Sequence, residues 1–246
     1  MSPDAHIVIL GAGHAGGTAA ALLRQYGHTG PITMIGDEPI APYQRPPLSK
    51  AWLKGEADAD SLALKPLEFY AENNIDFRPG VSAVSLARSE RRVTLSDGGS
   101  VTYDALIIAT GMRPNKLPIP GADLQGVLSL RTAADAEALK AALGPGRNLA
   151  IVGGGYIGLE VAASARALGA TATVIEREPR LLARTACEAL STFFCDYHKA
   201  RGVQFELSAS ITGFTGENGK VTGVSLADGR TIPADVVLVG VGGKPN

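Results

Sequence analysis

The sequence predicts an α/β fold in which one type of doubly wound parallel-sheet domain occurs twice along the chain. Residues 8–16 and 150–158 are alike, because each is a short apolar run that enters a Gly-x-Gly-x-x-Gly turn. Each turn opens an alanine-rich helical segment, after which a second apolar strand leads to an acidic residue. Each half then adds a small β excursion and a further buried strand, so the 246 residues predict two similar domains.

The first copy carries the glycines of this turn and the residue before the third one: Gly11, Gly13, Ala15 and Gly16. The first glycine permits a tight turn, the second lets a pyrophosphate approach the backbone, and the third lets the helix pack closely on the strand. Unpaired N–H groups at the start of the helix attract phosphate. An acid about 20 residues further on receives ribose hydroxyls, and Asp37 or Glu38 is at that distance.

The second copy repeats these signals: Gly153, Gly155, Ile157 and Gly158. Its ribose acid is Glu176. One Gly-x-Gly-x-x-Gly sequence is a weak signal, but two copies in the same strand–turn–helix–strand–acid context are specific. They indicate two Rossmann-like domains that bind two different dinucleotides. A flavin dinucleotide that stays bound and a nicotinamide dinucleotide that exchanges form the obvious pair, which predicts FAD and NAD.

The β excursions and return strands define the domain limits. Strand-like alternation occurs over residues 81–95 and again from Ile211 onward, and the return strands are predicted over 103–111 and 234–242. The connection at 113–121 contains three prolines and marks a boundary. We therefore predict three ranges: the first part of an FAD-binding domain over 1–115, an NAD-binding domain over 116–240, and the start of a return to the FAD domain over 241–246.

Glu176 also bears on the choice of coenzyme. A carboxylate accepts ribose hydroxyls but repels a 2′-phosphate, so NADH is expected in preference to NADPH. Arg177 and Arg180 follow closely and weaken this preference, because arginines can accommodate the phosphate.

A narrower signal is the stretch PYQRPPLSK at residues 42–50. With Leu130–Thr132, Asp135 and residues 153–160, it resembles the ferredoxin reductase components of bacterial oxygenase systems, of the putidaredoxin, rhodocoxin and rubredoxin reductase type. The resemblance extends over essentially the whole chain. It implies an FAD-dependent oxidoreductase that passes electrons from NADH, through the flavin, to a ferredoxin- or rubredoxin-type protein.

The resemblance also implies site residues. Those implied for FAD are Gly11, Gly13, Ala15, Gly16, Asp37, Glu38, Arg45, Lys50, Ala83, Thr110, Gly111 and Arg131. Those implied for NAD are Gly153, Gly155, Ile157, Gly158, Glu160, Glu176 and Gly242. Lys50 is expected beside the isoalloxazine and Glu160 toward the nicotinamide, close to Lys50, which makes these two the candidate catalytic residues.

The chemistry of these two residues supports the implied roles only in part. Pro46 and Pro47 suit the first turn of a helix, and a lysine shortly after them can stabilise negative charge on a flavin. On local evidence alone, Lys50 is more typical of a solvated surface lysine than of a flavin-binding one. Glu160, in the first turn after Gly158, also complements the helix dipole. The role of Arg131 depends on the resemblance alone.

Several other functions are disfavoured by composition. The two cysteines, Cys187 and Cys195, leave residues 1–150 without a thiol pair for disulfide reduction. The four histidines are dispersed, so no metal is predicted. A formal net charge of -1 favours neither nucleic acid nor an anionic membrane. With no signal peptide and no membrane span, a cytoplasmic location is expected.

Two alternatives to the ferredoxin reductase hypothesis remain. The same fold is compatible with an NADH oxidase or a reductase like monodehydroascorbate reductase or apoptosis-inducing factor. The chain could also be a nucleotide-binding fragment that is inactive by itself. Because the resembling family continues beyond the position of Asn246 with a Gly-Asp strand and a C-terminal domain, we expect a truncated chain that binds FAD weakly and purifies largely colourless.

Overall fold

The computed structural model describes residues 2–246 of the chain. Its strands are β1 (Ile7–Leu10), β2 (Ile32–Gly36), β3 (Ile75–Pro79), β4 (Ala83–Ala87), β5 (Arg92–Leu95), β6 (Ser100–Thr102), β7 (Ala105–Ile108), β8 (Met112–Pro114), β9 (Val127–Leu128), β10 (Asn148–Val152), β11 (Thr171–Ile175), β12 (Val203–Glu206), β13 (Ile211–Glu217), β14 (Lys220–Leu226), β15 (Thr231–Pro233), β16 (Val236–Val239) and β17 (Gly243–Pro245). Its helices are α1 (His14–Gln25), α2 (Ala51–Lys54), α3 (Ala59–Leu62), α4 (Leu67–Glu72), α5 (Ala133–Ala142), α6 (Tyr156–Ala167) and α7 (Glu188–Lys199). A short 3₁₀ helix over Pro46–Ser49 precedes α2.

The chain divides into two compact units. The first contains Met1–Arg45, Asp58–Met112 and Pro245–Asn246, and the second contains Pro46–Ala57 and Arg113–Lys244. Strands β8 and β17 therefore include residues at which the chain changes unit.

Each unit combines a parallel sheet with a small antiparallel sheet. In the first unit the parallel order is β3-β2-β1-β7, and β4, β5 and β6 form the antiparallel excursion. In the second unit the parallel order is β12-β11-β10-β16-β9, and β13, β14 and β15 form the excursion. This repeated arrangement confirms the predicted α/β fold class with two Rossmann-like domains.

The alternation of side chains along the central strands explains why both sheet faces are covered. In β1, Ile7 and Ile9 join one cluster that includes α1 and α4 residues, whereas Val8 and Leu10 join another that includes β5 and β6 residues. In the second unit, the residues of β10 alternate in the same way between a cluster that includes helix residues and a cluster that includes residues of that unit's antiparallel sheet. Because helices cover one face and the excursion covers the other, the central strands are continuous apolar runs.

The segment Pro46–Ala57 belongs to the second unit, although its sequence neighbours on both sides belong to the first. Leu53 is fully buried in the core that contains Leu139 and Val161. Trp52 Nε1 donates to Glu137 Oε1 over 2.6 Å. The predicted FAD-binding range over 1–115 includes this segment, whereas the first compact unit does not. The assignment of the two units to FAD and NAD stays a prediction.

Candidate functional site

The first glycine motif adopts the close packing that its sequence predicts. Gly11 has a φ of +105°, and a Cβ there would lie 2.2 Å from the Ala109 carbonyl oxygen. A Cβ on Gly16 would lie 1.8 Å from the Gly11 carbonyl oxygen. Gly13 is different, since the nearest atom to an added Cβ is the Arg45 guanidinium at 3.7 Å. The first and third glycines therefore close the turn, and the second faces a more open region that Arg45 borders.

The acidic residue Glu38 is part of a polar cluster beside this turn. Its carboxylate accepts a hydrogen bond from the Tyr43 hydroxyl at 2.6 Å and forms an ion pair with Arg45 at 2.6 Å. The side chains of Glu38 and Arg45 are 18% and 22% exposed. Asp37, the other candidate, is exposed. The structure thus brings Glu38 and Arg45 together, and it adds Tyr43, which the sequence did not identify as a site residue.

The remaining candidates of the first unit lie near the carboxyl ends of its strands. Thr110 and Gly111 follow β7, the parallel neighbour of β1. The Thr110 and Gly111 carbonyl oxygens accept hydrogen bonds from Asn246 at 2.9 and 3.1 Å. Ala83 is exposed at the start of β4. Ala15 is exposed in the first turn of α1.

The second glycine motif lines a cavity of about 500 Å³. Most of the lining residues come from the ends of β10, β11 and β16 and from the segments that follow them: Val152, Gly153, Gly154, Gly155, Tyr156, Ile175, Glu176, Arg177, Glu178, Leu182, Ala183, Arg184, Thr185, Gly240 and Val241. The others are Leu117, which precedes β9, and Ala209, Ser210 and Ile211, which follow β12. Gly155 has no atom within 4 Å of an added Cβ, so the backbone there is open to a ligand. The cavity thus has the open backbone that a dinucleotide phosphate requires.

Two candidates of this motif lie outside the lining. A Cβ on Gly158 would lie 2.3 Å from the Gly153 carbonyl oxygen, so Gly158 provides close packing of α6. Ile157 is 49% exposed in the first turn of α6.

Glu176 is fixed in this cavity by two backbone donors. Gly154 N–H donates to Oε2 over 2.6 Å, and Glu178 N–H donates to Oε1 over 2.8 Å. Each carboxylate oxygen has further capacity to accept, as two ribose hydroxyls require. The hydrogen bond from Gly154 N–H therefore fixes the Glu176 carboxylate directly against the glycine motif.

The two copies of the motif differ at this point of contact. Leu10 pairs with Ile35, and Val152 pairs with Ile175, so the residue equivalent to Glu176 is Gly36 and not an acid. A Cβ on Gly36 would lie 2.4 Å from Ala12 Cβ, while a Cβ on Gly154 would lie 3.1 Å from Glu176 Oε2. The first copy has alanine in the turn and glycine after the strand, and the second has glycine in the turn and glutamate after the strand.

Lys50 and Glu160, the candidate catalytic residues, are in direct contact within the second unit. Lys50 Nζ lies 2.7 Å from Glu160 Oε2, with the side chains 47% and 32% exposed. Ser49 Oγ donates to the same oxygen over 2.5 Å. Ser164, one turn after Glu160 on α6, donates to the Ser49 carbonyl oxygen over 2.7 Å. Two residues of α6 therefore hold the end of the 3₁₀ helix, and the predicted proximity of Lys50 and Glu160 is observed.

Arg131 and Gly242 are placed by local backbone structure. Arg131 N–H donates to Asp135 Oδ2 over 2.9 Å, next to a capping box that Thr132 and Asp135 form at the start of α5. Gly242 has a φ of +86°, and its carbonyl oxygen accepts from Asn115 N–H over 2.9 Å. Thr132 and Asp135, which are part of the sequence resemblance, therefore cap α5.

The cysteines and other ligand-type residues do not cluster. Cys187 is exposed before α7, and Cys195 is buried within it. Within residues 2–246 no group of three or more His, Cys, Asp or Glu side chains could hold a metal ion. In the same part of the chain, no helix combines the length and apolar character needed to cross a bilayer.

Comparison with known proteins gives one family match over nearly all of the sequence. The model described as pyridine nucleotide-disulphide oxidoreductase matches residues 5–246. A probable ferredoxin reductase of Castellaniella defragrans is 47% identical over 100% of this chain and 60% of its own length. Rhodocoxin reductase of Rhodococcus erythropolis is 44% identical over 98% of this chain and 56% of its own length. These relatives confirm the resemblance that residues 42–50 indicated.

A solved structure agrees with the fold. The ferredoxin reductase for the CYP199A2 system from Rhodopseudomonas palustris is 41% identical and superposes with a TM-score of 0.94, over 98% of this chain and 59% of that one. The chain therefore spans less than two thirds of the length of each of these three proteins.

Proposed function

Because the chain belongs to the pyridine nucleotide-disulphide oxidoreductase family, we propose that it forms the nucleotide-binding part of an FAD-dependent reductase. Its electrons come from NADH and go to a ferredoxin- or rubredoxin-type protein that serves an oxygenase system. The observation that carries the proposal is the Glu176 carboxylate, fixed by Gly154 N–H beside a cavity that the second glycine motif lines. The names of the relatives support the acceptor class, and a cytoplasmic location belongs to the same proposal.

The second unit fits NADH. Gly155 leaves room for a pyrophosphate at the start of α6, where unpaired N–H groups and the helix dipole favour negative charge. Glu176 accepts the hydroxyls of the adenosine ribose. Gly153 and Gly158 shape the turn without needing to touch the coenzyme, since their Cβ positions are occupied by backbone oxygens.

The first unit fits the FAD pyrophosphate and ribose in the same way. Gly13 leaves space at the start of α1, and the Arg45 guanidinium next to it supplies a positive charge. Glu38 holds Arg45 in place and offers the ribose a carboxylate. Bound FAD would supply the chemistry that couples two-electron oxidation of NADH to one-electron reduction of an acceptor.

Lys50 and Glu160 are proposed to act at the point of hydride transfer. The Lys50 ammonium supplies positive charge that stabilises an anionic flavin ring. Glu160 fixes that ammonium through the 2.7 Å ion pair. At their observed exposure the pair contributes at most about 1 kcal/mol to folding, so removal of either charge leaves the fold intact.

The experiment compares Lys50→Met and Glu160→Gln with Lys54→Met in the chain loaded with FAD. Lys54 is a matched control, because it also forms a partly exposed ion pair, with Glu56 at 2.6 Å. We expect flavin reduction by NADH, followed by stopped-flow absorbance, to slow about tenfold or more in the first two variants and to be unchanged in the third. Equal rates in all three would refute the role of the pair.

The acceptor is tested separately. Cytochrome c reduction by the flavin-loaded chain with NADH is expected to require an added ferredoxin or rubredoxin. Full reduction without that protein, or stoichiometric consumption of oxygen in its place, would contradict the proposed acceptor class while leaving the coenzyme sites intact.

A further inference from the structure

We propose that Ser49 is a positioning residue for Lys50 and Glu160: its buried hydroxyl fixes the Glu160 carboxylate, which in turn fixes the Lys50 ammonium for hydride transfer. The inference rests on the proposed function, because it takes these two charged residues to act at the flavin. It assigns a task to an uncharged residue that the sequence analysis did not identify as a site residue.

The backbone of Ser49 is fixed to α6 independently of the ion pair. Ser164 Oγ donates to the Ser49 carbonyl oxygen over 2.7 Å, and this hydrogen bond is buried. Both serines are 4% exposed. Because a single rotatable bond joins the serine backbone to its oxygen, a fixed backbone leaves the hydroxyl oxygen only the staggered positions. Helix α6 therefore places the Ser49 hydroxyl before a cofactor contributes anything.

Two donors meet at one oxygen of Glu160, and Ser49 is the more constrained of them. Ser49 Oγ lies 2.5 Å from Glu160 Oε2, and Lys50 Nζ lies 2.7 Å from it. The Lys50 side chain is 47% exposed, so water competes for its ammonium, and this long side chain loses rotamer freedom when it is held. The Ser49 hydroxyl is shielded from water, and its hydrogen bond to an ionised acceptor is a strong one. Ser49 therefore fixes the carboxylate, and the carboxylate fixes the lysine.

The carbonyl oxygen of Pro46 is the second acceptor in this arrangement. It lies 3.3 Å from Ser49 Oγ and 3.1 Å from Lys50 Nζ. A hydroxyl has a single hydrogen, so the Pro46 oxygen is left for Lys50 while Ser49 donates to Glu160. Two of the three ammonium N–H groups then have fixed acceptors, and the third is available to a bound flavin. Loss of the Ser49 hydroxyl removes the shortest of these contacts.

The first measurement needs no cofactor. Wild type, Ser49→Ala, Glu160→Gln and the double variant are labelled briefly with acetic anhydride, and mass spectrometry compares acetylation of Lys50 with that of the exposed Lys220. We expect labelling of Lys50 to rise about twofold or more in each single variant, because a carboxylate that is lost or no longer fixed leaves the amine free more often. The double variant should show no further rise, since Ser49 acts through Glu160.

The second measurement follows flavin reduction by NADH in the same proteins loaded with FAD. We expect the limiting rate to fall about threefold or more in Ser49→Ala, with NADH affinity changed by less than about twofold. The double variant should be no slower than Glu160→Gln.

Thr33→Val is the matched control for both measurements. Thr33 is 3% exposed, and its hydroxyl also donates to a carboxylate, that of Asp76, at 3.4 Å. The control should change neither the labelling of Lys50 nor the rate of flavin reduction. Urea unfolding checks that every variant is folded.

The other outcomes distinguish this inference from the proposed function. Slower reduction in Glu160→Gln with a wild-type rate in Ser49→Ala would overturn the inference and leave the role of the ion pair standing. Additive effects in the double variant, on rate or on labelling, would also overturn it, because Ser49 would then act independently of Glu160. So would unchanged labelling of Lys50 in Ser49→Ala. Wild-type rates in all the variants would overturn both the inference and the proposed role of the ion pair.

Discussion

At the scale of single residues, the glycines of one motif have different tasks. Gly155 has a φ of -85° and open space in the direction of a Cβ, whereas a Cβ on Gly158 would lie 2.3 Å from a backbone oxygen. We therefore predict that Gly155→Ala costs less than about 1 kcal/mol of folding stability but weakens NADH binding at least tenfold. Gly158→Ala should destabilise the protein by about 3 kcal/mol or more.

Urea unfolding and coenzyme titration distinguish these two effects. The matched control is Gly219→Ser, at a surface turn where a Cβ meets nothing within 4 Å. It should leave NADH affinity unchanged, although its φ of +76° costs some stability. Unchanged NADH affinity in Gly155→Ala would show that the coenzyme phosphates bind elsewhere.

Tyr70 gives a second prediction at the residue scale. Its side chain is 1% exposed, and its hydroxyl is buried with no hydrogen-bond partner in the part of the chain that the structure describes. Tyr70→Phe should leave the free energy of unfolding at pH 7 unchanged or raise it by up to about 1 kcal/mol, since it removes an unsatisfied polar group. Tyr26→Phe, at an 80% exposed ring, should have no effect.

The same residue predicts a dependence on alkaline pH. Burial raises the pKa of Tyr70 to about 12, while tyrosine in an unfolded chain titrates near about 10. The native state therefore favours the neutral phenol, which contributes stability below about pH 10 that is lost as the pH rises toward 12. Tyr70→Phe should lose less stability than wild type between pH 9 and about 11; an equal loss would contradict the prediction.

The order of residue types along the chain was enough to predict some residues of the two candidate nucleotide sites and not others. The glycine motifs and Glu176 could be identified because tight turns and ribose binding restrict the residues allowed there. The location of Arg184 in the cavity could not, since it depends on a loop that Arg180 holds by hydrogen bonds to the Ala183 and Ala186 carbonyl oxygens. Neither could Tyr43 as a partner of Glu38, because that contact depends on the path of a loop with no regular periodicity.

At the scale of elements, the segment Pro46–Ala57 gives a further prediction. Leu53 is fully buried in the core of the second unit, so Leu53→Ala should destabilise the protein by about 2–5 kcal/mol. Leu67→Ala, at a 57% exposed position, should cost less than about 0.5 kcal/mol. A small effect of Leu53→Ala in urea unfolding would mean that the segment contributes little to that core.

Elements differed in how well their sequences specify them. The buried parallel strands were predictable because both faces are covered and the runs are continuously apolar. Helix α2 has four residues and β9 has two, which is too short for a periodic pattern. The membership of Pro46–Ala57 in the second unit follows from contacts distant in sequence, which local patterns do not contain.

At the scale of the molecule, the single tryptophan reports on the second unit although it is the fifty-second residue of the chain. Trp52 is 6% exposed, and its indole N–H donates a hydrogen bond to the Glu137 carboxylate. We predict that Leu139→Ala moves the unfolding transition seen by tryptophan fluorescence to a lower urea concentration, because it lowers the free energy of unfolding by about 2–5 kcal/mol. Ile9→Ala, in the core of the first unit, should shift that signal less than it shifts circular dichroism. Equal shifts of both signals in Ile9→Ala would contradict this prediction.

The two glycine turns differ in which of two contacting positions has the larger residue, and this difference affects which substitutions each copy can accept. Ala12 with Gly36, and Gly154 with Glu176, are compatible pairs, whereas alanine at 154 beside glutamate or glutamate at 36 beside alanine is crowded. The order of substitution therefore matters, because Gly36→Glu is crowded while Ala12 is present and Gly154→Ala is crowded while Glu176 is present. The effect of a substitution at one of these positions thus depends on the residue at its partner position. Transplanting either site into the other copy accordingly requires both members of the pair to change together.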